Sequence, residues 1–267
     1  MKNKKKIAVI LPNLKNGGAE RSHIYIANEW IKLGYQVVFV LMEKKGNLIS
    51  LISKEIQIIN LKQNRLRNII FPLTKLLYQN RFDIIVAPMW PITIISVISW
   101  YLSLKKGKLF LVDHNPIIKK WANDFNINWS LVKFSIKLTY NRVSGIISVS
   151  SGIKEDILKI ISMEKNKLQV IYNPINYNSI HYKKSQNEKI KLFGNLKHNI
   201  VSTGSLKKSK DYITLINAVN FLINRNIEIY LYIIGEGEEE ENLDKLIKKN
   251  NLSKNIKLLG YIEDPFP

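Results

Sequence analysis

The chain has 267 residues, 46% of them hydrophobic, which suffices for one large or two ordinary packed domains and excludes a compositionally disordered protein. It has no cysteine, which excludes a disulfide framework and any Cys-based metal site. Its 41 Lys+Arg against 21 Asp+Glu give a net charge of +20, which favours anionic partners. The lysines are spread along the chain, as an AT-rich coding bias would spread them, and no helix-turn-helix, zinc-finger or aromatic RNA-binding signature accompanies them. No nucleic-acid partner is therefore expected, and an anionic membrane surface is the better candidate. The basic start, Met1 to Lys6, is followed by an apolar run, Ile7 to Leu11, too short for a signal peptide. The expected location is the cytoplasm, with a peripheral position on the inner face of the plasma membrane as a further possibility.

Lys6 to Leu11 reads as a buried strand ended by Pro12. A loop through Gly17 and Gly18 leads into an amphipathic helix, Ala19 to Leu33, stopped by Gly34. Strands follow at Gln36 to Met42 and Ile56 to Leu61, then a helix at Leu66 to Tyr78. The longest apolar stretch, Ile84 to Leu104, contains Pro88 and Pro91, so it reads as a buried strand and a buried helix rather than a transmembrane span. Lys108 to Val112 is the fifth strand, Asn126 to Asn141 a long basic amphipathic helix, and Gly145 to Val149 the sixth strand. A helix from Ser151 to Ile161 and a strand from Leu168 to Tyr172 complete the first half. Short, continuous Val- and Ile-rich strands alternating with helices are the signature of a parallel sheet covered on both faces.

The polar stretch Asn173 to Asn199 breaks this alternation and reads as an interdomain link. Domains are expected at residues 1–180 and 199–267, joined by 181–198. Beyond the link come Ile200 to Thr203 (strand), Asp211 to Asn224 (helix), Glu228 to Ile234 (strand), Glu238 to Asn250 (helix) and Ile256 to Leu259 (strand). Three strands and two helices make a thin second domain.

Candidate site residues lie where the strands end, because ligands of open parallel sheets bind outside the strands' carboxyl ends. Gly17 and Gly18 occupy the first such loop, with Glu20 and Arg21 behind them; G-x-G-x-x-G is absent, which argues against NAD. Asp113-His114-Asn115 follows the fifth strand, and His114 suits a general base or a sugar hydrogen bond, or a structural loop histidine. His23, His181 and His198 lie in no motif and receive no role. In the second half, Gly204 and Ser205 open a loop carrying Lys207, Lys208 and Lys210 before a helix whose first amides are expected to point their free N–H groups into the loop. That combination suits a phosphate, or equally a solvated turn. Gly235-Glu236-Gly237 permits close backbone approach, or simply forms a turn. With four histidines, no Asp-x-Asp, and the one run of carboxylates, Glu238 to Glu241, read as complementing a helix dipole, no metal site is expected.

Six pieces in order resemble glycosyltransferase family 4: Asn16-Gly17-Gly18-Ala19-Glu20-Arg21, Asp113-His114-Asn115, Val149-Ser150-Ser151-Gly152, Val170-Ile171-Tyr172-Asn173-Pro174, Gly204-Ser205-Leu206 with Lys210-Asp211, and Ile234-Gly235-Glu236-Gly237. The resemblance implies an α/β, GT-B-like fold of two facing Rossmann-like domains, the second incomplete here. It also implies metal-independent sugar transfer, with retention, from a nucleotide-sugar to a hydroxyl, with no cofactor. The acceptor would be a glycan or lipid-linked saccharide in bacterial surface polysaccharide or glycolipid synthesis. Lys210 matches the cation that neutralises the leaving diphosphate, and His114 the residue that contacts the transferred sugar. Gly17, Gly18, Gly204, Ser205, Gly235, Glu236 and Gly237 fall on the donor side, and Glu20, Arg21 and Asn115 on the acceptor side.

Two departures from the family pattern stand out. Ser205 occupies the position where the pattern has an arginine, and a hydroxyl lacks the guanidinium fork. The family's Glu-x7-Glu segment would follow Gly260 to Asp264, but the chain ends at Pro267. That leaves a fragment of a longer enzyme or a poor catalyst, with a non-catalytic binding remnant and a nucleotide-sugar epimerase of the same fold as alternatives.

Overall fold

The structure, a computed structural model, describes residues 4–15, 17–116, 127–164, 166–175 and 198–262. The chain forms two compact units, Met1–Ile175 and Asn176–Pro267. The expected link 181–198 lies outside the described residues except for His198, as do Asn16, Glu263 and Asp264 of the quoted motifs.

The first unit is built on β1 (Lys6–Leu11), α1 (Gly18–Lys32), β2 (Gln36–Leu41), β3 (Gln57–Asn60), α2 (Ile70–Gln79), β4 (Ile84–Pro88), α3 (Ile92–Leu102), β5 (Lys108–Asp113), α4 (Trp129–Thr139), β6 (Gly145–Ser148), α5 (Ser151–Leu158) and β7 (Leu168–Val170). All strand pairs are parallel, in the order β3-β2-β1-β4-β5-β6-β7. The strands are apolar throughout because both faces are covered. Ala8 and Ile10 of β1, with Val38 and Val40 of β2, pack under α2, α3, α4 and α5. The alternate residues Ile7, Val9, Leu11, Val37 and Phe39 pack under α1 and the 3-10 turn Asn47–Leu51. The strand order reverses between β1 and β4, which makes their carboxyl ends the switch point of the sheet.

Several expected boundaries move, each for a local reason. The long helix expected at Asn126 to Asn141 begins at Trp129, because the Asn128 side chain caps it by accepting from the Ser130 amide at 2.8 Å; it tightens to 3-10 geometry over Tyr140–Arg142. The helix expected from Leu66 opens as a 3-10 turn, Leu66–Ile69, and becomes α-helical at Ile70. The stretch from Ile84 to Leu104 is strand β4 and helix α3, and no described helix is long and apolar enough to cross a membrane.

The second unit has β8 (Asn199–Thr203), α6 (Tyr212–Ile223), β9 (Tyr230–Ile234), α7 (Glu240–Lys249) and β10 (Ile256–Leu258), with parallel order β10-β9-β8. Its own core gathers Leu206, Ile216, Leu231, Ile233, Leu243 and Ile247.

Candidate functional site

In the first unit the site grows from the carboxyl ends of β1, β4 and β5. Gly17 precedes α1 in extended conformation, and the Glu20 side chain folds back over it, filling the space a Cβ would take. Gly18 opens the helix with nothing within 4 Å of where its Cβ would stand, so the backbone there is open to a ligand. The helix's first carbonyls are held twice. The Ser22 hydroxyl donates to Gly18 O at 2.8 Å, and His23 Nδ1 donates to Ala19 O at 2.9 Å. A carbonyl only accepts, so neutral His23 carries its proton on Nδ1. Arg21 lies one residue ahead, with Nη1 donating to the Tyr25 hydroxyl at 3.5 Å.

β5 ends at Asp113, and the chain then presents His114 and exposed Asn115. The rings of His23 and His114 meet edge to face, with centroids 5.1 Å apart and planes at 63°. Both His114 nitrogens are buried without a hydrogen-bond partner. Burial, with the neighbouring His23 as a lesser cause, brings the His114 pKa down to about 4, so its ring is neutral at ordinary pH. Burial also lowers the His23 pKa, and the bond to Ala19 opposes this. Asp113 is deeply buried, accepting from the Tyr140 hydroxyl at 3.0 Å through Oδ1 while Oδ2 has no partner. Tyr140 lies 3.3 Å from the Thr93 hydroxyl on α3. Burial raises Asp113 to about 7 against the smaller effect of the Tyr140 bond. No motif in the sequence marks His23, Thr93 or Tyr140 as part of a site. A histidine four residues beyond Ala19 on the inner face of α1 was the only signal for the first, and nothing local marks the other two.

In the second unit the loops after β8 and β9 pack backbone against backbone. Gly204 N donates to Ile234 O at 2.9 Å, Leu206 N to Glu236 O at 3.0 Å, and Glu239 N to Leu206 O at 3.0 Å. Gly235 has φ +142°, and a Cβ there would run into the Gly204 carbonyl; a Cβ on Gly237 would meet the Leu206 carbonyl. These two glycines thus have a packing reason besides any ligand. Glu236 is exposed and accepts from Tyr261 N at 3.4 Å. Ser205 is half-buried, and Lys207, Lys208 and Lys210 are exposed. The Lys210 chain lies along Gly204, its Cε 3.8 Å from where a Cβ on that glycine would stand.

One expectation is corrected here. The first turn of α6 does not leave all its amides free: Asp211, in left-handed conformation (φ 50°, ψ 45°), accepts from Thr214 N at 3.4 Å and from the Thr214 hydroxyl at 2.9 Å. A carboxylate already caps this helix and offsets part of the positive charge at its N-terminus. Among the described residues no group of three His, Cys, Asp or Glu could hold a metal.

Two Rossmann-like α/β units with parallel sheets, carrying polar loops at the strands' carboxyl ends, define a protein of the GT-B-like class. The family model "Glycosyltransferase Family 4" matches residues 16–179 and "Glycosyl transferases group 1" matches 182–265. The chain belongs to glycosyltransferase family 4. It is 33% identical over 152 residues to the Campylobacter jejuni N-acetylgalactosamine-N,N'-diacetylbacillosaminyl-diphospho-undecaprenol 4-alpha-N-acetylgalactosaminyltransferase, a match that takes in 57% of this chain and 39% of that enzyme. Its fold is similar to that of a Rickettsia africae glycosyltransferase (TM-score 0.70, 20% identity, 98% of this chain and 69% of that one). It is also similar to Anabaena HepE in complex with UDP and glucose (TM-score 0.72, 15% identity, 97% and 70%).

Proposed function

We propose that this chain comes from a glycosyltransferase that moves a hexose-type sugar, with retention and without a metal, from a nucleotide-diphosphate sugar to a hydroxyl of a glycan or lipid-linked saccharide. The setting would be bacterial surface polysaccharide or glycolipid synthesis. Family membership supports the reaction class, and the Campylobacter relative, named for an undecaprenol-diphosphate glycan acceptor, suggests the acceptor class. The observation that carries the reading is His114: a neutral imidazole with two buried, unpartnered nitrogens at the end of β5, packed on His23 of the helix that Gly18 opens. An orphaned buried nitrogen costs about 1–3 kcal/mol, which a sugar hydroxyl would relieve. Lys210, with Lys207 and Lys208 beside it, would neutralise the departing diphosphate, a role that needs a fixed cation and no metal.

Calorimetric titration with UDP and then GDP tests the donor side. Binding that Lys210→Ala weakens about tenfold, the loss of one charge-assisted contact, supports the reading. No binding of either nucleotide to the folded chain would count against a donor site in it. At the transferred sugar, His114→Ala should abolish most transfer to a hydroxyl acceptor while leaving UDP affinity unchanged.

Membrane-surface association belongs to the same reading. Helices α2, α3 and α4 carry no Asp or Glu. On α4, Leu131 (65%), Phe134 (65%) and Leu138 (46%) are exposed with Lys133 and Lys137 beside them. An apolar stripe flanked by lysines suits an anionic bilayer surface. Asn126, where the basic amphipathic helix is expected to begin, lies outside the described residues.

A further inference from the structure

We propose that His23 is a positioning residue of the sugar site, seating the His114 ring whose two buried nitrogens have no hydrogen-bond partner in the protein; this rests on the reading of His114 given above. His23 is almost fully buried on the inner face of α1, at 2% exposure. Its ring edge lies against His114, 91 positions further along the chain, with centroids 5.1 Å apart. No hydrogen bond holds His114, so packing alone fixes its orientation, and His23 is the ring that packs on it.

The tautomer of His23 is set independently. Nδ1–H donates to Ala19 O in the first turn of α1, and the Ser22 hydroxyl donates to Gly18 O next to it. These two buried side chains fix the turn that begins at Gly18 and, through His23, the ring at the end of β5. The open glycine backbone and the imidazole are thus referred to one another by a rigid piece of helix. A charged ring at position 23 would repel a charged His114 at this distance and would have to be desolvated, and burial disfavours the cation in both. The pair is therefore two neutral rings, able to exchange hydrogen bonds with hydroxyl groups rather than ion-pair with a carboxylate or phosphate. This fits a sugar hydroxyl as the ligand group. In the neutral His114 ring one nitrogen donates and the other accepts, so the ring can donate to one hydroxyl oxygen and accept from a second hydroxyl.

The test uses the 267-residue chain and long-range proton–nitrogen correlation spectra of its imidazole rings. In the wild-type protein His23 is expected as the Nδ1–H tautomer, with ring-to-ring nuclear Overhauser contacts to His114, and His114 as a single conformer. His23→Ala should turn the His114 signals into exchange-averaged ones. His23→Phe, which keeps the ring edge and loses only the bond to Ala19, should restore them. With UDP-glucose and UDP-N-acetylgalactosamine as donor probes, His23→Ala should lower kcat on the order of tenfold with KM little changed, and His23→Phe should recover most of it, as expected for misplacement of a reacting partner rather than loss of binding. His114 signals in a folded His23→Ala that superimpose on the wild type would overturn the proposal. So would a Phe variant no better than Ala. Should the Ala variant not fold, an Nε2–H tautomer or absent ring contacts in the wild type does the same. A wild-type chain that neither binds UDP nor turns over a donor would count against a donor site in this chain, while the spectra still decide the role of His23.

Discussion

At the scale of single residues, Asp113 and the two histidines pull stability in opposite directions with pH. Asp113 is raised from 3.8 to about 7 in the folded chain. Between those values the unfolded chain has released a proton that the folded chain keeps, so stability falls as pH rises through this window and is flat above it. His114, lowered from 6.5 to about 4, does the reverse: its neutral form is favoured by folding, and that stability is lost as pH falls from 6.5 towards 4. Asp113→Asn should therefore be close to the wild type near pH 4 and more stable than it above pH 7, by on the order of a few kcal/mol, in denaturant titrations across pH. A fall in stability with rising pH that persists in Asp113→Asn would show that another group is responsible. Asp113 was legible in the sequence as part of a three-residue motif. Its protonation was not, because burial depends on α3 and on Tyr140, neither of which is adjacent to it in the chain.

At the scale of elements, glycines of similar appearance have different work. Gly18 opens α1 with free space at its Cβ position, so Gly18→Ala should stabilise the chain by up to about 1 kcal/mol through helix propensity. If that backbone serves a ligand, the same substitution should weaken transfer. Gly235, at φ +142° against the Gly204 carbonyl, admits no side chain. Gly235→Ala should cost about 2 kcal/mol or more, seen as early melting of β8 and β9 amides in hydrogen exchange. The caps are of ordinary size: Asn128→Ala removes the Ser130 contact and should cost about 1 kcal/mol in a thermal melt. The strands were legible because a sheet covered on both faces requires continuous apolar runs, as in Ile7 to Leu11. Helix ends were less so, because a cap such as Asn128 or Asp211 sets the first turn through one side-chain bond that periodicity does not register.

At the scale of the whole molecule, a net charge of +20 gives its helix layers different characters. α1 carries Glu20 and Glu29, and α5 carries Glu155 and Asp156, whereas α2, α3 and α4 carry no acid. Sedimentation with vesicles of phosphatidylglycerol at low salt should retain the chain and release it as salt rises; Phe134→Glu should reduce retention several-fold, and retention on neutral phosphatidylcholine vesicles should be weak. Equal binding of wild type and Phe134→Glu would remove α4 from the interface.

The sequence by itself determined the alternation of strand and helix and the loops that close each strand's carboxyl end. These follow from local pattern: apolar run, turn residue, amphipathic period. Every strand of a parallel sheet points the same way, so each strand-to-helix loop emerges at one edge whatever the strand order, and Gly17, Gly18, His114, Gly204 and Gly235 could be named before any fold was seen. Only the tertiary structure decided that β1 lies between β2 and β4, that His23 meets His114, and that Asp113 is enclosed with Tyr140 and Thr93. Those contacts join residues 27 to 91 positions apart. They arise from the order in which strands pair and the face to which each helix crosses. Local propensity does not encode them, because many strand orders share the same local patterns and differ only in which buried surfaces come together.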